Sequence, residues 1–156
     1  MKFQALLAAL ALLAIPAVAG SAPKTDPLCM ELSAFLGSVK PDETRVVTLR
    51  TYWGAREVGD QLVLGSKRCE HNNYEPAKRF CGYLMEHTST EFAGYNAKRI
   101  LSCLAPFPSS KARLDINSGS FSTQFGSNDR GALVDLDLVR DKEQEEMVLI
   151  LKADGY

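Results

Sequence analysis

Apolar residues in the first part of the chain after residue 25 recur at intervals of three and four. They are Leu28, Leu32, Phe35, Leu36 and Val39. This spacing predicts an amphipathic helix that ends near residues 37 to 40, with Asp26 as its N-cap and Pro27 at its first position. Pro41 then breaks the helical pattern.

From residue 44 onward the side chains alternate between the two faces of a predicted strand. Residues 44 to 53 are rich in β-branched and aromatic side chains and predict a strand. The residues that share one face of it are Val47, Leu49, Thr51 and Trp53. Residues 54 to 60 predict a turn, and residues 61 to 66 a returning strand, so the sequence predicts a hairpin with Trp53 in the core.

Two helices are predicted in the middle of the chain. The apolar residues of the first, at positions 75 to 87, are Ala77, Phe80, Cys81, Leu84 and Met85. Thr88-Ser89-Thr90-Glu91 then has the form of a capping box, which favours a second helix over one long one. Its apolar residues are Phe92, Tyr95, Ile100, Cys103 and Leu104, and Pro106 and Pro108 end it.

Beyond these prolines the apolar period becomes two. The predicted strands contain Leu114 and Ile116; Phe121, Thr123 and Phe125; Val134, Leu136 and Leu138; and Val148, Ile150 and Lys152 or their alternates. The order is α-β-β-α-α-β-β-β-β. Short turns between strands favour antiparallel pairing, so the predicted fold is one α+β domain in which helices pack on one face of an antiparallel sheet.

The N-terminus predicts export. Met1 and Lys2 precede an apolar run of eleven residues, from Ala5 to Ile15, which as a helix spans only about 16 Å and is too short to be a membrane anchor. Ala17-Val18-Ala19 fits a signal-peptidase site. We therefore expect a cleaved signal peptide at residues 1–19, a short leader at 20–27, one globular domain at 28–156, and a periplasmic or secreted location without a membrane anchor.

Four cysteines lie in the mature chain, and an even number in an oxidising compartment favours two disulfides. Their intervals of 40, 12 and 22 residues match no short metal-binding motif. Three pairings are possible. We favour Cys69–Cys81, which closes a short loop, together with Cys29–Cys103, which joins the first helix to the last; Cys81–Cys103 would contradict this assignment.

The net charge of the chain bears on which classes of partner it can bind. The chain has 18 Lys and Arg against 19 Asp and Glu, and loss of the signal peptide removes one lysine. A net charge near −2 disfavours nucleic acid as a partner, because phosphate binding needs clustered cationic charge. The sequence indicates no cofactor and no metal site, and leaves the oligomeric state open.

The catalytic candidates are few. His71 and His87 are the only histidines, and each has the chemistry of a general base. His87 at a helix end is more simply explained by the helix dipole. Asp135 and Asp137 share one strand face, where they either bind calcium, act on a sugar or lie in solvent; we favour solvent, with Arg140 neutralising them.

Two groups of residues are typical of binding surfaces. The first consists of Arg50, Tyr52 and Arg56 around Trp53, since tyrosine and arginine are common at binding hot spots. The second is the loop held by Cys69 and Cys81, with His71, Asn72, Asn73 and Tyr74. A loop fixed by a disulfide binds at low entropic cost.

The sequence therefore favours an exported binding protein, an inhibitor or immunity-type protein that blocks a partner enzyme, over an enzyme. Two alternatives stay open. One is a small secreted hydrolase that uses His71 or His87 with an acidic residue. The other is a carrier of a small apolar ligand held between sheet and helices.

Overall fold

A computed structural model describes residues 26–104 and 116–156. Its elements are α1 (Pro27–Ser38), β1 (Thr44–Val58), β2 (Gln61–Glu70), α2 (Glu75–His87), α3 (Ala93–Leu104), β3 (Gly119–Gly126), β4 (Gly131–Asp141) and β5 (Glu146–Gly155). The predicted α+β class is confirmed, and the elements follow the predicted order through α3. Within the described ranges three strands follow α3, where four were predicted.

The remaining predicted strand is the one at Leu114 and Ile116. Leu114 lies outside the described residues, and Ile116 belongs to no strand. The backbone carbonyl of Ile116 instead crosses the start of α3, where a Cβ on Gly94 would meet its oxygen at 1.8 Å. This segment is thus held against a helix, and a side chain at position 94 would force it away.

The five strands form one sheet in the order β2-β1-β5-β4-β3, and every neighbouring pair is antiparallel. The last strand therefore lies in the middle, between the two strand groups that α2 and α3 separate in the sequence. The three helices cover one face of this sheet, as predicted, and bury the core there. We call this the covered face, and the opposite side the open face.

The first two helices match their predictions. Asp26 caps α1: its Oδ1 accepts a hydrogen bond from the backbone N–H of Leu28 at 2.9 Å, and Pro27 follows at the helix start. Helix α2 has the predicted bounds, and four of its five predicted apolar side chains are buried, namely Ala77, Phe80, Cys81 and Leu84. The fifth, Met85, is 37% exposed.

The predicted capping box before α3 is wrong. The Thr88 hydroxyl donates back to the Leu84 carbonyl, because Thr88 still belongs to the end of α2. Ser89 does the capping instead, with its Oγ accepting from the backbone N–H groups of Glu91 and Phe92 at 3.2 and 3.0 Å. Helix α3 consequently begins at residue 93, later than the box implies.

The buried side of α3 also differs from its prediction. Phe92 and Tyr95 are 59% and 60% exposed. The residues that α3 buries are Ala93, Asn96, Ala97, Ile100 and Leu101. Asn96 is fixed by Ser89, whose carbonyl accepts from the Asn96 amide at 2.7 Å and whose N–H donates to its Oδ1 at 3.0 Å.

Both predicted disulfides are present. Cys29–Cys103 joins α1 to α3, and Cys69–Cys81 joins the end of β2 to α2. Each fastens a helix of the covered face, either to another helix or to the sheet. Two disulfides are compatible with an oxidising compartment.

The predicted signal peptide at residues 1–19 lies outside the described residues, as does the leader up to residue 25. No helix in the described ranges is long and apolar enough to cross a membrane.

Candidate functional site

The hairpin of β1 and β2 extends well beyond the sheet. Strand β1 pairs with β5 only from Thr44 to Thr51. Past that point residues 52–58 pair with residues 61–66 alone, forming a two-stranded projection that we call the ribbon. Seven residues beyond Thr51 at the usual rise of a strand make it about 23 Å long.

The predicted turn at residues 54 to 60 is therefore too long. The chain turns only at Gly59 and Asp60. Gly54, at a φ of 150°, lies in an irregularity of β1 between Trp53 and Arg56. Such a bulge bends and twists a strand without ending it, and glycine adopts the required backbone angle freely.

The ribbon exposes large apolar side chains. Their exposed fractions are 57% for Trp53, 54% for Val58, 66% for Leu62 and 61% for Leu64. Trp53 does share a strand face with Val47 and Leu49, but it lies past Thr51, the last residue of β1 that pairs with β5. The prediction that Trp53 is buried is wrong for that reason.

An arginine cluster lies at the base of the ribbon on the open face. It comprises Arg50, Arg56 and Arg68 around Glu146, whose side chain is only 3% exposed. Arg68 donates from Nη1 to Glu146 Oε1 at 3.0 Å, and its Nη2 lies 2.8 Å from Oε2. Arg50 Nη1 and Arg56 Nη2 lie 3.9 and 4.0 Å from the same carboxylate.

Strand register brings these groups together. Arg50 lies opposite Arg68, and Tyr52 lies opposite Ser66. Alternation places Arg50 and Tyr52 on the face opposite to Val47 and Leu49. Glu146 begins β5, next to β1 in the sheet. A buried carboxylate in this position is stabilised by the guanidinium groups around it.

Tyr52 and Arg56 form one unit of the cluster. The Arg56 guanidinium lies over the Tyr52 ring, 4.4 Å from its centre, and donates from Nη2 to Ser66 Oγ at 3.0 Å. This cover leaves Tyr52 only 8% exposed. Tyr52 was predicted to face solvent as a contact residue; it is instead the base on which Arg56 rests.

Arg50 links the cluster to two further carboxylates. It donates from Nε to Glu70 and from Nη1 to Asp141, each at 3.2 Å. The backbone N–H groups of Gln144 and Glu143, together with Arg50, hold the pKa of Asp141 below its ordinary value of 3.8. Asp141 therefore stays ionised and keeps Arg50 in place.

The second predicted group is separate from the first. Residues 71–74 lie beyond the other end of β2, away from the ribbon. Asn72 and Asn73 are exposed and adopt positive φ angles of 46° and 56°. Tyr74 is structural, since its hydroxyl donates to the Ser38 carbonyl at 2.8 Å and its ring packs against Phe35.

The two histidines lie in different settings. His71 is half-buried, and its Nδ1 has no hydrogen-bond partner in the described part of the chain. His87 packs on the Tyr83 ring, and its Nε2 lies 3.6 Å from Glu86. A carboxylate is therefore placed beside His87, while the ion pairs of the described residues include none with His71.

Asp135 and Asp137 share the open face of β4 as predicted, but Arg140 does not neutralise them. Arg140 lies opposite Met147, and both line a cleft on the covered side. Asp135 instead lies opposite Lys152 and accepts from Ser122 at 2.6 Å. The described residues contain no group of three or more side chains suited to hold a metal ion.

That cleft has a volume of about 950 Å³ and lies beside the start of α3. Its lining includes the exposed Phe92 and Tyr95 together with Ile116 and Met147. Residues of α3, β4 and β5 line this cleft, so it lies between helix and sheet, where the apolar-ligand alternative places its site.

Sequence reasoning found Arg50, Tyr52 and Arg56 but missed Arg68, Glu146 and the leucines of the ribbon. Alternation in β2 could have identified the face that carries Leu62, Leu64 and Arg68. Nothing in the sequence near Glu146 marks it as buried, because the arginines around it come from β1 and β2.

No protein-family model, curated protein or solved structure matches this chain.

Proposed function

We propose that this protein binds a partner protein through the ribbon and the arginine cluster at its base. The observation that carries the proposal is the exposure of Trp53, Val58, Leu62 and Leu64 on a projection that the sheet does not need for its own core. Exposed apolar side chains next to arginine have the composition of a binding hot spot.

The two kinds of residue lie on a common surface. Because β2 has a regular alternation, Leu62 and Leu64 face the same side as Ser66 and Arg68. An apolar contact at the tip would therefore continue into a polar contact at the base. This arrangement matches the usual anatomy of an interface, with apolar anchors and surrounding polar groups.

The specific form of the function that we propose is an exported inhibitor or immunity-type protein. The two disulfides suit an oxidising compartment. A narrow ribbon about 23 Å long suits insertion into an enzyme cleft. In that form the partner is a secreted or periplasmic enzyme, and binding blocks its active site.

Affinity capture with matched variants tests the binding function. The mature chain is immobilised and exposed to an extract of its source, beside the double variants Leu62→Ser/Leu64→Ser and Met30→Ser/Leu133→Ser. Met30 and Leu133 are 59% and 54% exposed but lie outside the ribbon. We expect the native chain and the second variant to retain the same protein, and the ribbon variant to lose it.

Equal retention by both double variants would refute the ribbon as the binding surface. The inhibitor form requires one further result, namely that the protein abolishes the turnover of the captured enzyme at equimolar amounts. Full turnover of the captured enzyme in the complex would be consistent with binding but would contradict inhibition.

A further inference from the structure

The sheet ends in two edge strands, β2 and β3, which differ in charge. Strand β2 carries Lys67, Arg68 and Glu70, and charged side chains on an edge strand discourage pairing with another chain. Strand β3 has eight residues, GSFSTQFG, and none of them is charged or a proline. Its register with β4 is regular and has no bulge. The edge of β3 is therefore long, regular and uncharged, which makes it suited to pair with a further strand.

The hydrogen bonds of β4 show which backbone groups of β3 point away from the sheet. Gly131 exchanges two backbone hydrogen bonds with Tyr156, at 3.3 and 3.1 Å, so its N–H and C=O groups point towards β5. Alternate residues of a strand point to opposite sides, so the even-numbered residues of β4 bond to β3. Their partners in β3 are Gly119, Phe121, Thr123 and Phe125.

The residues between these partners have outward-pointing backbone groups. They include Ser120, Ser122 and Gln124. Among the described residues, no backbone hydrogen bond reaches this outer edge of β3. It offers N–H donors and C=O acceptors in the spacing that an antiparallel strand requires.

We propose that a second copy of this chain pairs with β3 along this edge, antiparallel and around a two-fold axis at Thr123. In this register Ser122 of one copy lies opposite Gln124 of the other, and the two residues exchange both backbone hydrogen bonds. Symmetry repeats the pair on the other side of the axis. The two five-stranded sheets then become one continuous sheet.

The side chains of β3 favour a second copy in this register. Phe121 and Phe125 are half-buried on the covered face, at the margin of the core. In the dimer each Phe121 lies opposite Phe125 of the other copy, and cross-strand aromatic pairs stabilise a sheet. An axis at Ser122 would instead place Phe121 opposite Thr123. Because β3 is uncharged, the symmetric contact brings no like charges of this strand together.

This inference goes beyond the proposed function and uses a different part of the molecule. Strands β2 and β3 lie at opposite edges of the sheet, so pairing through β3 leaves the ribbons of both copies free. One dimer would then bind two partner molecules, one at each end.

The native chain alone provides the first test. A contact along one strand is small for a protein interface, so we expect a dimer that dissociates on dilution between about 1 mM and about 5 µM in sedimentation equilibrium. Amide hydrogen exchange of the ¹⁵N-labelled mature chain should slow at Ser122 and Gln124 as concentration rises. The amides of Phe121 and Thr123, which bond to β4, should be protected at every concentration.

Single added cysteines test the register. The four native cysteines are paired in two disulfides, so the added thiol is free. Thr123→Cys should form a disulfide between copies, because directly opposed residues of this type have Cα atoms about 4.5 Å apart. Ser120→Cys is the control on the same strand: in the dimer its own copy lies six residues along the partner strand, about 20 Å away. Gels run without reductant should show a dimer for Thr123→Cys and a monomer for Ser120→Cys.

A further set of variants removes the contact. Ser122→Pro should abolish the dimer, because proline lacks the outward N–H and obstructs the incoming strand. The N–H of Ser122 does not bond to β4, so the variant leaves that pairing intact. Ser122→Lys, a milder change, should weaken the dimer at least tenfold by placing charge on the edge. Val139→Lys puts the same charge on the open face of β4, inside the sheet, and should dimerise as the native chain does.

A native chain that stays monomeric at the highest concentration, equal cross-linking of the two cysteine variants, or an undiminished dimer in Ser122→Lys would each overturn the inference. Protection of Ser122 and Gln124 in a monomer would also overturn it, because another segment of the same chain would then cover β3. Partner capture that depends on the ribbon without any dimer leaves the proposed function intact. A dimer whose partner capture is independent of the ribbon contradicts the proposed function instead.

Discussion

The two faces of the sheet are stabilised by different means. On β4 the covered face carries Ala132, Val134, Leu136 and Leu138, all buried, whereas the open face carries Leu133, Asp135, Asp137 and Val139. Among the described residues, the open face of the sheet is buried only locally, at Val148 and where arginines enclose Glu146 and cover Tyr52. The helices therefore bury an apolar core on the covered face, whereas ion pairs between arginines and carboxylates fix the side chains at the base of the ribbon on the open face.

The largest expected difference between the faces is in apolar packing. Leu136→Ala should lower the free energy of unfolding by about 3 kcal/mol, because it leaves a cavity under the helices. Leu133→Ala removes the same atoms from the neighbouring position, which is 54% exposed, and should change stability by less than about 0.5 kcal/mol. Urea unfolding measures both. Equal effects would contradict the difference between the two faces.

An intermediate effect is expected from the buried carboxylate. Glu146→Gln keeps the shape but removes the charge that compensates Arg68 and Arg56, and should cost about 2 kcal/mol after allowance for the partial exposure of the arginines. The exposed Glu143 provides the control, and Glu143→Gln should have little effect. Urea midpoints of the two variants provide the measurement. A Glu146→Gln protein as stable as Glu143→Gln would mean that the network does not hold the open face.

The smallest expected effect is on the stability of the protein at acidic pH. The lowered pKa of Asp141 means that its ionised form favours the folded state, so its contribution is present above the ordinary value of 3.8 and is lost as the pH falls below it. Asp141→Asn should therefore be less stable at pH 7 and lose less of its stability on acidification. Thermal melts from pH 6 to pH 2 measure this loss as the slope of the melting temperature against pH. Asp129→Asn, at an exposed position, should follow the native slope, and the same slope in Asp141→Asn would contradict the assignment.

Local patterns were enough to predict the helices and strands that face a core. The apolar period of α2 predicted its bounds, and cysteine number and position predicted both disulfides. The buried side of α3 was harder to predict, because its small residues, such as Ala93 and Ala97, give a weaker signal than Phe92 and Tyr95.

The candidate site was predictable only in part. Arg50 and Arg56 stood out by residue type, but the exposure of Trp53 depends on where β1 ceases to pair with β5, and strand alternation carries no such information. The burial of Tyr52 depends on a stacked arginine four residues later. Glu146 became part of the site through neighbours on two other strands, which only the sheet order reveals.

The Cys29–Cys103 disulfide bears on what happens if a protease cuts the ribbon. A cut at the turn between Gly59 and Asp60 would separate the half with Cys29 from the half with Cys103, and this bond would still join them. Such a nicked molecule would migrate as one species without reductant and as two with it. A proteolytic partner could therefore cleave the tip of the ribbon without releasing either piece.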